Sequence, residues 1–239
     1  GDVMRDRFLL GDGHRINPEA PGPGLRVTGE KPAPGGASNA AANAASLGGR
    51  TCIAGYIGND AAGRKLRALV RGYGIRTAFV PCARPTITKV RAVARGQQLL
   101  RLDYEDDRAV SRRLEEKLLA AIKGLGRRFD AVLISDYGKG VVTERLVELC
   151  LERAPVVTVD PVPPHRDLYR GVTLLTPNTK EAAALLGAEI RTEADLVRAG
   201  AELVRRLDAH VRVTRGERGM TLFRRGGGRL HLPTVAQEV

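Results

Sequence analysis

The sequence is poor in aromatic residues and in cysteine. It contains no Trp, and aromatic residues make up 4% of its 239 positions. Proteins that bind single-stranded nucleic acid interleave basic side chains with aromatic ones on which bases stack, and this chain has little material for such a surface. Its three cysteines, Cys52, Cys82 and Cys150, lack the CxxC spacing of zinc sites and redox pairs. We therefore expect reduced thiols in a cytosolic protein.

Long apolar runs are also absent. No run approaches the roughly 18 to 20 apolar residues that a membrane span requires, and the chain opens without the basic and apolar leader of a secreted protein. Because the first residue is Gly1 rather than Met, we expect the protein's own N-terminus to lie upstream or to have been removed. These features predict a cytoplasmic protein that does not bind membranes.

Acidic residues are fewer than basic ones, 27 against 39, which gives a formal net charge of +12. A basic chain can present a surface for nucleic acid, or it can hold anionic small molecules in an Arg-rich protein. The Arg pairs, such as Arg205-Arg206 and Arg224-Arg225, are scattered along the sequence. Because few aromatic residues accompany them, we favour an anionic small molecule and predict no nucleic-acid partner.

Helical and extended segments alternate from about residue 111 onward. Strand-length apolar runs occupy residues 130–137, 156–161, 173–178 and 210–216. The helices between them start at capping residues, namely Ser111, Thr143 and Thr192 with Asp195 three positions later. This alternation predicts an α/β fold with a parallel sheet and helices on both faces. Ligands of such sheets bind outside the carboxyl ends of the strands.

Two segments of the first half lack a helical period. Residues 12–34 are rich in Gly, Pro and charge, and residues 84–105 contain two extended runs around Arg95-Gly96-Gln97. We predict that these two lid segments form a small β-sheet lid. Strand alternation places Lys89 and Arg91 on one face of the lid. Cations there suit a substrate phosphate, and an ordinary solvated lid face is the alternative.

The segment Pro34-Gly35-Gly36-Ala37-Ser38-Asn39 leads into an Ala-rich helix. Two glycines allow close approach of the backbone to a ligand, and the Asn39 amide offers both a donor and an acceptor to a sugar hydroxyl. A plain turn followed by a helix cap is the alternative.

Several motifs together resemble one family. GGASNAAANAASLGG, with GYIGND shortly after it, is similar to the first motif of the PfkB carbohydrate kinases, and GDVMRDRFL resembles the end of their first strand. RINPEAP, TITKVR, QQLLRLD, SDYGKG, LLTPNTKE and LPTVAQEV resemble the heptose 7-phosphate kinase branch of that family. The resemblance implies a ribokinase-like three-layer α/β/α sandwich with a small β-sheet lid. It also implies ATP and Mg²⁺ as cofactors and a sugar phosphate as substrate.

The resemblance also implies the site residues. Those expected at the sugar phosphate are Asp6, Arg15, Gly35, Gly36, Asn39, Lys89, Arg91, Arg101 and Asp136. Those expected at the nucleotide are Asn178, Thr179, Lys180 and Glu181 of an NxxE element and Thr214, Gly216 and Gly219 of a TxGxxG loop, with Glu181 acting on the metal. The alternatives are a helix start capped by Asn178 or Thr179 and a simple hairpin turn.

The catalytic base of the family belongs to a DxxGAGD motif, which these 239 residues do not contain. We therefore expect the base after Val239 and describe residues 1–239 as a single incomplete ribokinase-like kinase domain. By analogy with the family, a homodimer through the lid and a fused nucleotidyltransferase domain are expected partners. The alternatives are a PfkB kinase for another sugar, a non-catalytic binding module with this fold, and a nucleic-acid binder.

Overall fold

The computed structural model describes residues 1–16, 23–106, 108–126 and 128–234, with the backbone alone at residues 14–16 and 23. The chain divides into two compact units, an N-terminal unit Asp2–Leu125 and a C-terminal unit Gly126–Val239, to which Gly1 is added. None of the helices in this described part combines the length and the apolar character that a membrane span needs.

The N-terminal unit contains two sheets. Its elements are, in chain order, β1 (Val3–Ile16), β2 (Pro23–Gly36), α1 (Ala37–Ser46), β3 (Cys52–Gly58), α2 (Ala61–Gly72), β4 (Arg76–Cys82), β5 (Thr88–Ala94), β6 (Gln97–Tyr104) and α3 (Arg112–Leu125). Four strands form the N-terminal sheet in the order β2-β1-β5-β6, in which β1 and β5 run parallel and the outer pairs antiparallel. The parallel strands β3 and β4 form the second sheet.

The N-terminal sheet includes strands from both lid segments and extends beyond the first of them. The β1–β2 pairing begins at Val3 opposite Gly36, so these strands start and end outside residues 12–34. Strands β5 and β6 are joined by a two-residue turn at Arg95 and Gly96, whose φ angles are 49° and 76°. Two positive φ angles are typical of the type I′ turn that matches the twist of a hairpin, and this turn joins the two extended runs that the sequence indicates around Arg95-Gly96-Gln97.

The core of the N-terminal unit is built from small and branched side chains. Leu66 and Val70, four residues apart on α2, are both fully buried, because this spacing places them on one face of the helix. They share a cluster with Val3, Ile53 and Phe79 from three strands. Burying a side chain such as Leu66 stabilises the fold by about 2 kcal/mol.

The C-terminal unit contains the predicted parallel sheet. Its elements are, in chain order, β7 (Val132–Ser135), α4 (Glu144–Arg153), β8 (Val157–Asp160), a 3₁₀ helix (Pro163–Tyr169), β9 (Leu174–Leu175), α5 (Thr179–Leu186), α6 (Glu193–Leu207), β10 (His210–Thr214), a second 3₁₀ helix (Gly216–Arg218), β11 (Met220–Phe223) and β12 (Arg229–Leu232). The sheet order is β12-β11-β10-β9-β8-β7. Strands β7 to β10 are parallel, whereas β11 and β12 are antiparallel.

The helices start at the capping residues that the sequence indicates. The Thr143 hydroxyl accepts the Leu146 N–H, and Thr192 forms a complete capping box with Asp195. The strand expected over residues 173–178 is much shorter in the structure, Leu174–Leu175. Pro177 lacks an N–H and therefore cannot donate to a ladder. The pairing ends there in a single bridge between Asn178 and Thr214.

Candidate functional site

Asp6 lies in the middle of β1, against the backbone of Gly35. A Cβ at Gly35 would lie 2.8 Å from the Asp6 Cγ, so a side chain at this position would displace the carboxylate. The Asp6 Oδ1 is 2.9 Å from Nη1 of Arg91 on β5, and both side chains are about four-fifths buried, with 18% and 21% of their surface exposed. The carboxylate is therefore held on the sheet face between a glycine and a cation.

The start of α1 has no side-chain cap. Gly36 has φ 52°, in the left-handed region that favours glycine, and it offers no side-chain cap to the helix. The Ala37 N–H donates to the Asp2 carbonyl at 2.9 Å. Ser38 is fully buried, and its hydroxyl has no hydrogen-bond partner among the described residues. An uncapped helix start has N–H groups that can bind a negatively charged or hydroxylated ligand.

A row of charged side chains crosses the N-terminal sheet beside Asp6. Residues in direct register across neighbouring strands point to the same face, and Phe8 is in register with Lys31 on one side and with Arg91 on the other. Arg91 is in register with Arg101. The Arg91 guanidinium also lies 5.4 Å from the Phe8 ring centroid, a cation–π contact. We call Lys31, Arg91 and Arg101 the cation row.

The next row on the same face contains both acidic and basic side chains. Asp6, Lys89 and Asp103 are in register across β1, β5 and β6. The Lys89 ammonium lies 3.3 Å from the Asp103 carboxylate and 3.4 Å from that of Glu105, and Arg101 lies 3.0 Å from Asp103. Although burial raises it, the hydrogen bonds and charges of Arg101 and Lys89 hold the pKa of Asp103 below its usual value. Asp103 thus remains ionised and balances two cations.

The opposite face of the N-terminal sheet carries a separate ion-pair cluster. The Arg7 guanidinium donates to both oxygens of Glu30, at 2.8 and 2.9 Å, and Nη2 of Arg5 lies 3.3 Å from the same carboxylate. The hydrogen bonds from Arg7 lower the pKa of Glu30. Because the side-chain direction alternates along a strand, these cations do not belong to the face that carries Asp6 and Arg91.

In the C-terminal unit, the NxxE element and the TxGxxG loop are neighbours. The Thr179 hydroxyl donates to the Thr214 carbonyl at 3.3 Å, and the Thr214 N–H donates to the Pro177 carbonyl at 2.9 Å. Gly219 has φ 72°, and a side chain there would collide with the Leu232 carbonyl. Both segments therefore meet at the carboxyl ends of β9 and β10, the edge where ligands of parallel sheets bind.

Glu181 is part of a helix cap. Its Oε2 accepts the Asn178 N–H at 2.8 Å, and Oδ1 of Asn178 accepts the Glu181 N–H at 2.9 Å, which completes a capping box. The alternative stated from the sequence, a helix start capped by Asn178, is therefore present in the structure. The cap uses one oxygen of the half-buried Glu181 carboxylate, so a metal or water ligand could still use the other.

Asp136 follows β7 and is buried. Its carboxylate accepts hydrogen bonds from the Tyr169 hydroxyl and the Gly138 N–H, both at 2.8 Å, and its Oδ2 lies 2.8 Å from Nδ1 of His165. Tyr169 is 0% exposed. The carboxylate joins the loop after β7 to the 3₁₀ helix Pro163–Tyr169.

Acidic groups are close to each other at the carboxyl edge of the C-terminal sheet. Burial raises the pKa of Asp160, the charges of Glu181 and Asp136 raise it further, and Arg212 opposes them. Within the described residues, no group of three or more His, Cys, Asp or Glu side chains is arranged to hold a metal ion. Mg²⁺ commonly uses one or two protein carboxylates and completes its shell with water and phosphate oxygens, so the Glu181 oxygen that the cap leaves free fits such partial coordination.

The expected site residues thus form two groups, one in each unit. Asp6, Gly35, Lys89, Arg91 and Arg101 come together on the N-terminal sheet, and Gly36 and Asn39 lie at the adjoining start of α1. The residues expected at the nucleotide, together with Asp136, belong to the C-terminal unit. Arg15 lies in β1, but its side chain is outside the described part of the chain.

Three side chains in these clusters were not predicted from the sequence. Lys31 and Phe8 are in register with Arg91, a relation that depends on how distant strands pair. His165 is near Asp136 although 29 residues separate them. The histidines show no ligand spacing in the sequence, so no local signal pointed to His165.

Comparison with known proteins agrees with this architecture. The model of the pfkB family carbohydrate kinases matches residues 1–239. The bifunctional protein HldE of Geobacter metallireducens is 44% identical over 246 residues, and that of Klebsiella pneumoniae 40% identical over 245. Both alignments include 100% of this chain and 50% of the relative, so the chain spans about half the length of these relatives.

Solved structures show the same fold at low identity. The tetrameric inhibited form of phosphofructokinase-2 from Escherichia coli has a TM-score of 0.82 and 20% identity, covering 99% of this chain and 78% of that one. The same enzyme in complex with fructose-6-phosphate has a TM-score of 0.76 at 20% identity, covering 99% and 79%. The ribokinase-like α/β fold expected from the sequence is thereby confirmed. On the match along its whole length, this chain belongs to the pfkB family of carbohydrate kinases.

Proposed function

We propose that this chain is the kinase domain that phosphorylates a heptose 7-phosphate at its anomeric hydroxyl. The phosphoryl donor is ATP, and the product is a heptose 1,7-bisphosphate on the way to ADP-heptose, a precursor of lipopolysaccharide. The curated relatives named HldE, at 40–44% identity, and the segments RINPEAP and TITKVR support this substrate over other sugars. A kinase for another sugar or sugar phosphate is the alternative.

The observation that carries the proposal is the cation row beside Asp6. A sugar phosphate needs hydrogen-bonding groups for its hydroxyls and cations for its phosphate. The N-terminal sheet offers both on one face, with the Asp6 carboxylate 2.9 Å from Arg91 and with Lys31 and Arg101 in the same register row as Arg91. In this proposal Asp6 and Asn39 hold the hydroxyls, and Lys89 and the cation row hold the 7-phosphate.

The nucleotide is proposed to bind at the carboxyl edge of the C-terminal sheet. Residues of the NxxE element and the TxGxxG loop would contact ATP, and Glu181 would hold Mg²⁺ or its water. The adjacency of Thr179 and Thr214 supports this, because it brings the two segments to one strand end. Phosphoryl transfer depends mainly on positioning and on charge stabilisation, and bound Mg²⁺ neutralises charge that develops on the phosphate oxygens.

The relatives also suggest partners for the full-length protein. They are named bifunctional and are about twice as long as this chain, which supports a fused nucleotidyltransferase domain.

A homodimer through the lid is proposed because Leu100, Leu102 and Tyr104 on the edge strand β6 are exposed. Apolar side chains on an edge strand favour pairing with a second copy. Substituting Leu102→Glu should then shift the protein to monomer in sedimentation velocity.

The decisive experiment compares cations on the two faces of the N-terminal sheet. In the full-length protein, Arg91→Ala should raise KM for heptose 7-phosphate about tenfold or more and leave KM for ATP nearly unchanged, because charge-assisted contacts to phosphate are lost. Arg7→Ala is the matched control, since it removes a guanidinium from the opposite face. Equal effects of the two substitutions would contradict the phosphate site.

Substrate identity is tested with the same protein. ADP release should be much faster with heptose 7-phosphate than with fructose 6-phosphate or ribose. A higher kcat/KM with either of those sugars would favour the alternative kinase.

A further inference from the structure

The segment that leads into β5 is fixed by a cluster of four residues that we call the Asp60 junction: Gly58, Asp60, Gly63 and Thr86. Asp60 precedes α2 and caps it, since its Oδ1 accepts the Gly63 N–H at 2.7 Å. The same carboxylate also binds Thr86, which is distant in the sequence. Its Oδ2 accepts the Thr86 N–H and its Oδ1 accepts the Thr86 hydroxyl, both at 2.8 Å.

The backbone segments of the junction are in close contact. The Thr86 hydroxyl, which donates to Asp60, also accepts the Gly58 N–H at 2.9 Å, and Thr86 is only 2% exposed. A Cβ at Gly58 would lie 2.6 Å from the Thr86 nitrogen, and one at Gly63 would lie 2.5 Å from the Gly58 carbonyl oxygen. Both glycines are therefore needed for the approach, and Thr86 is held by side-chain and backbone groups together.

Strand β5 begins two residues after Thr86. The Thr88 hydroxyl donates to the Thr86 carbonyl at 3.0 Å, and the Arg5 N–H donates to the Ile87 carbonyl at 2.9 Å, which joins β5 to β1. From there the register pairs Asp6 with Lys89 and Phe8 with Arg91. A slip of one residue would turn both cations to the other face.

We propose that Asp60 and Thr86 are positioning residues for the substrate site. They act by fixing the start of β5, so that Lys89 and Arg91 lie beside Asp6. Neither residue needs to touch the substrate. This inference rests on the proposed function for its kinetic readout, whereas its structural readout needs no substrate.

The test uses two isosteric substitutions in the full-length protein. Thr86→Val keeps the shape and removes the hydroxyl, so the Gly58 N–H and Asp60 each lose a partner. Asp60→Asn is the milder change. The Asn amide can adopt two orientations: its NH₂ group faces the Thr86 N–H in one and the Gly63 N–H in the other. One backbone donor therefore loses its acceptor in either case. Thr86→Ser keeps the hydroxyl and should restore wild-type behaviour.

The expected result is a selective loss of substrate binding. Thr86→Val and Asp60→Asn should raise KM for heptose 7-phosphate about tenfold and change KM for ATP less than about twofold, because a small displacement of positioning groups is costly. Amide hydrogen exchange should accelerate in β5 and β6. Thr192→Ala, which removes a comparable helix cap in the C-terminal unit, should lower the melting temperature and leave both KM values unchanged.

Two results would overturn the proposal. One is a melting temperature lowered by Thr86→Val with KM for heptose 7-phosphate and exchange in β5 at wild-type values. The other is failure of Thr86→Ser to restore slow exchange in β5. If the wild-type protein does not turn over heptose 7-phosphate, the proposed function fails. Amide hydrogen exchange in β5 then still tests whether the Asp60 junction fixes the start of that strand. If Thr86→Val does not fold, Asp60→Asn provides the same readouts.

Discussion

The two units hold their polar side chains in different ways. In the N-terminal unit, Asp6, Lys89 and Arg91 project from the middle of strands and are paired with charges on neighbouring strands. In the C-terminal unit, Asp136 and Glu181 lie where strands end and helices start, and each bonds to a group two or three residues away. Asp136 also bonds to the distant Tyr169 and His165. The first arrangement depends on strand register, whereas the second depends on turns and caps, to which long-range contacts are added at Asp136.

This difference predicts different consequences of substitution. The Asp6–Arg91 pair keeps about a fifth of its side-chain surface exposed, so water can hydrate the partner that remains when the other is replaced, and we expect its replacement to alter binding more than folding. A buried carboxylate with several donors is costly to remove, because each donor loses its partner. Substitutions at Asp6, Asp136 and Glu181 and the protonation of Asp60 test this contrast.

Asp6→Ala should cause the largest loss of activity. We expect kcat/KM for heptose 7-phosphate to fall roughly a hundredfold, because the sugar hydroxyls lose a charged acceptor and Arg91 loses its partner. The midpoint of urea unfolding should change little. A large loss of stability with kinetics near wild type would show that the Asp6–Arg91 pair is structural.

Asp136→Ala should show the opposite pattern. Removing the carboxylate takes one acceptor from the buried Tyr169 hydroxyl and the Asp136 partner from His165, at a cost of about 3 kcal/mol in unfolding free energy. Urea unfolding measures this, with the exposed Asp130→Ala as control. The expectation that Asp136 binds substrate predicts instead a raised KM for the sugar phosphate at unchanged stability.

Glu181→Gln separates the metal role from the cap. Gln can complete a capping box as Glu does, so the melting temperature should stay close to that of the wild type. If Glu181 holds Mg²⁺ or its water, the Mg²⁺ concentration for half-maximal activity should rise about tenfold. An unchanged Mg²⁺ titration, together with instability of Glu181→Ala, would assign the side chain to the cap alone.

The smallest effect is expected from the protonation of Asp60. Burial raises its pKa, but hydrogen bonds from the Thr86 N–H, the Gly63 N–H and the Thr86 hydroxyl, with the charge of Arg64, hold it below the usual value. Because the pKa of Asp60 is lower in the folded protein than the unfolded value of about 3.9, the ionised carboxylate stabilises the fold at pH values above that unfolded value. The melting-temperature difference between wild type and Asp60→Asn should therefore be full at pH 7 and shrink as pH falls through the folded pKa. A difference that is constant down to pH 2 would contradict the junction.

Local patterns in the sequence predicted most of the C-terminal unit. The caps at Thr143 and Thr192, the parallel strands and the NxxE helix start depend on residues within a few positions of each other, so they can be read directly. The turn at Arg95 and Gly96 was located for the same reason. The fold class and the family followed from these elements and from the motifs, and the comparisons confirmed both.

The tertiary structure decided which of these residues meet. The sequence indicates that Lys89 and Arg91 share a face, but only the register of β1 with β2 and β5 brings Lys31 and Phe8 beside them. The contacts of Asp136 with His165 and of Asp60 with Thr86 join residues 29 and 26 positions apart. Hydrophobic periodicity specifies which face of an element is buried, whereas pairing between distant strands and loops depends on packing of the whole unit.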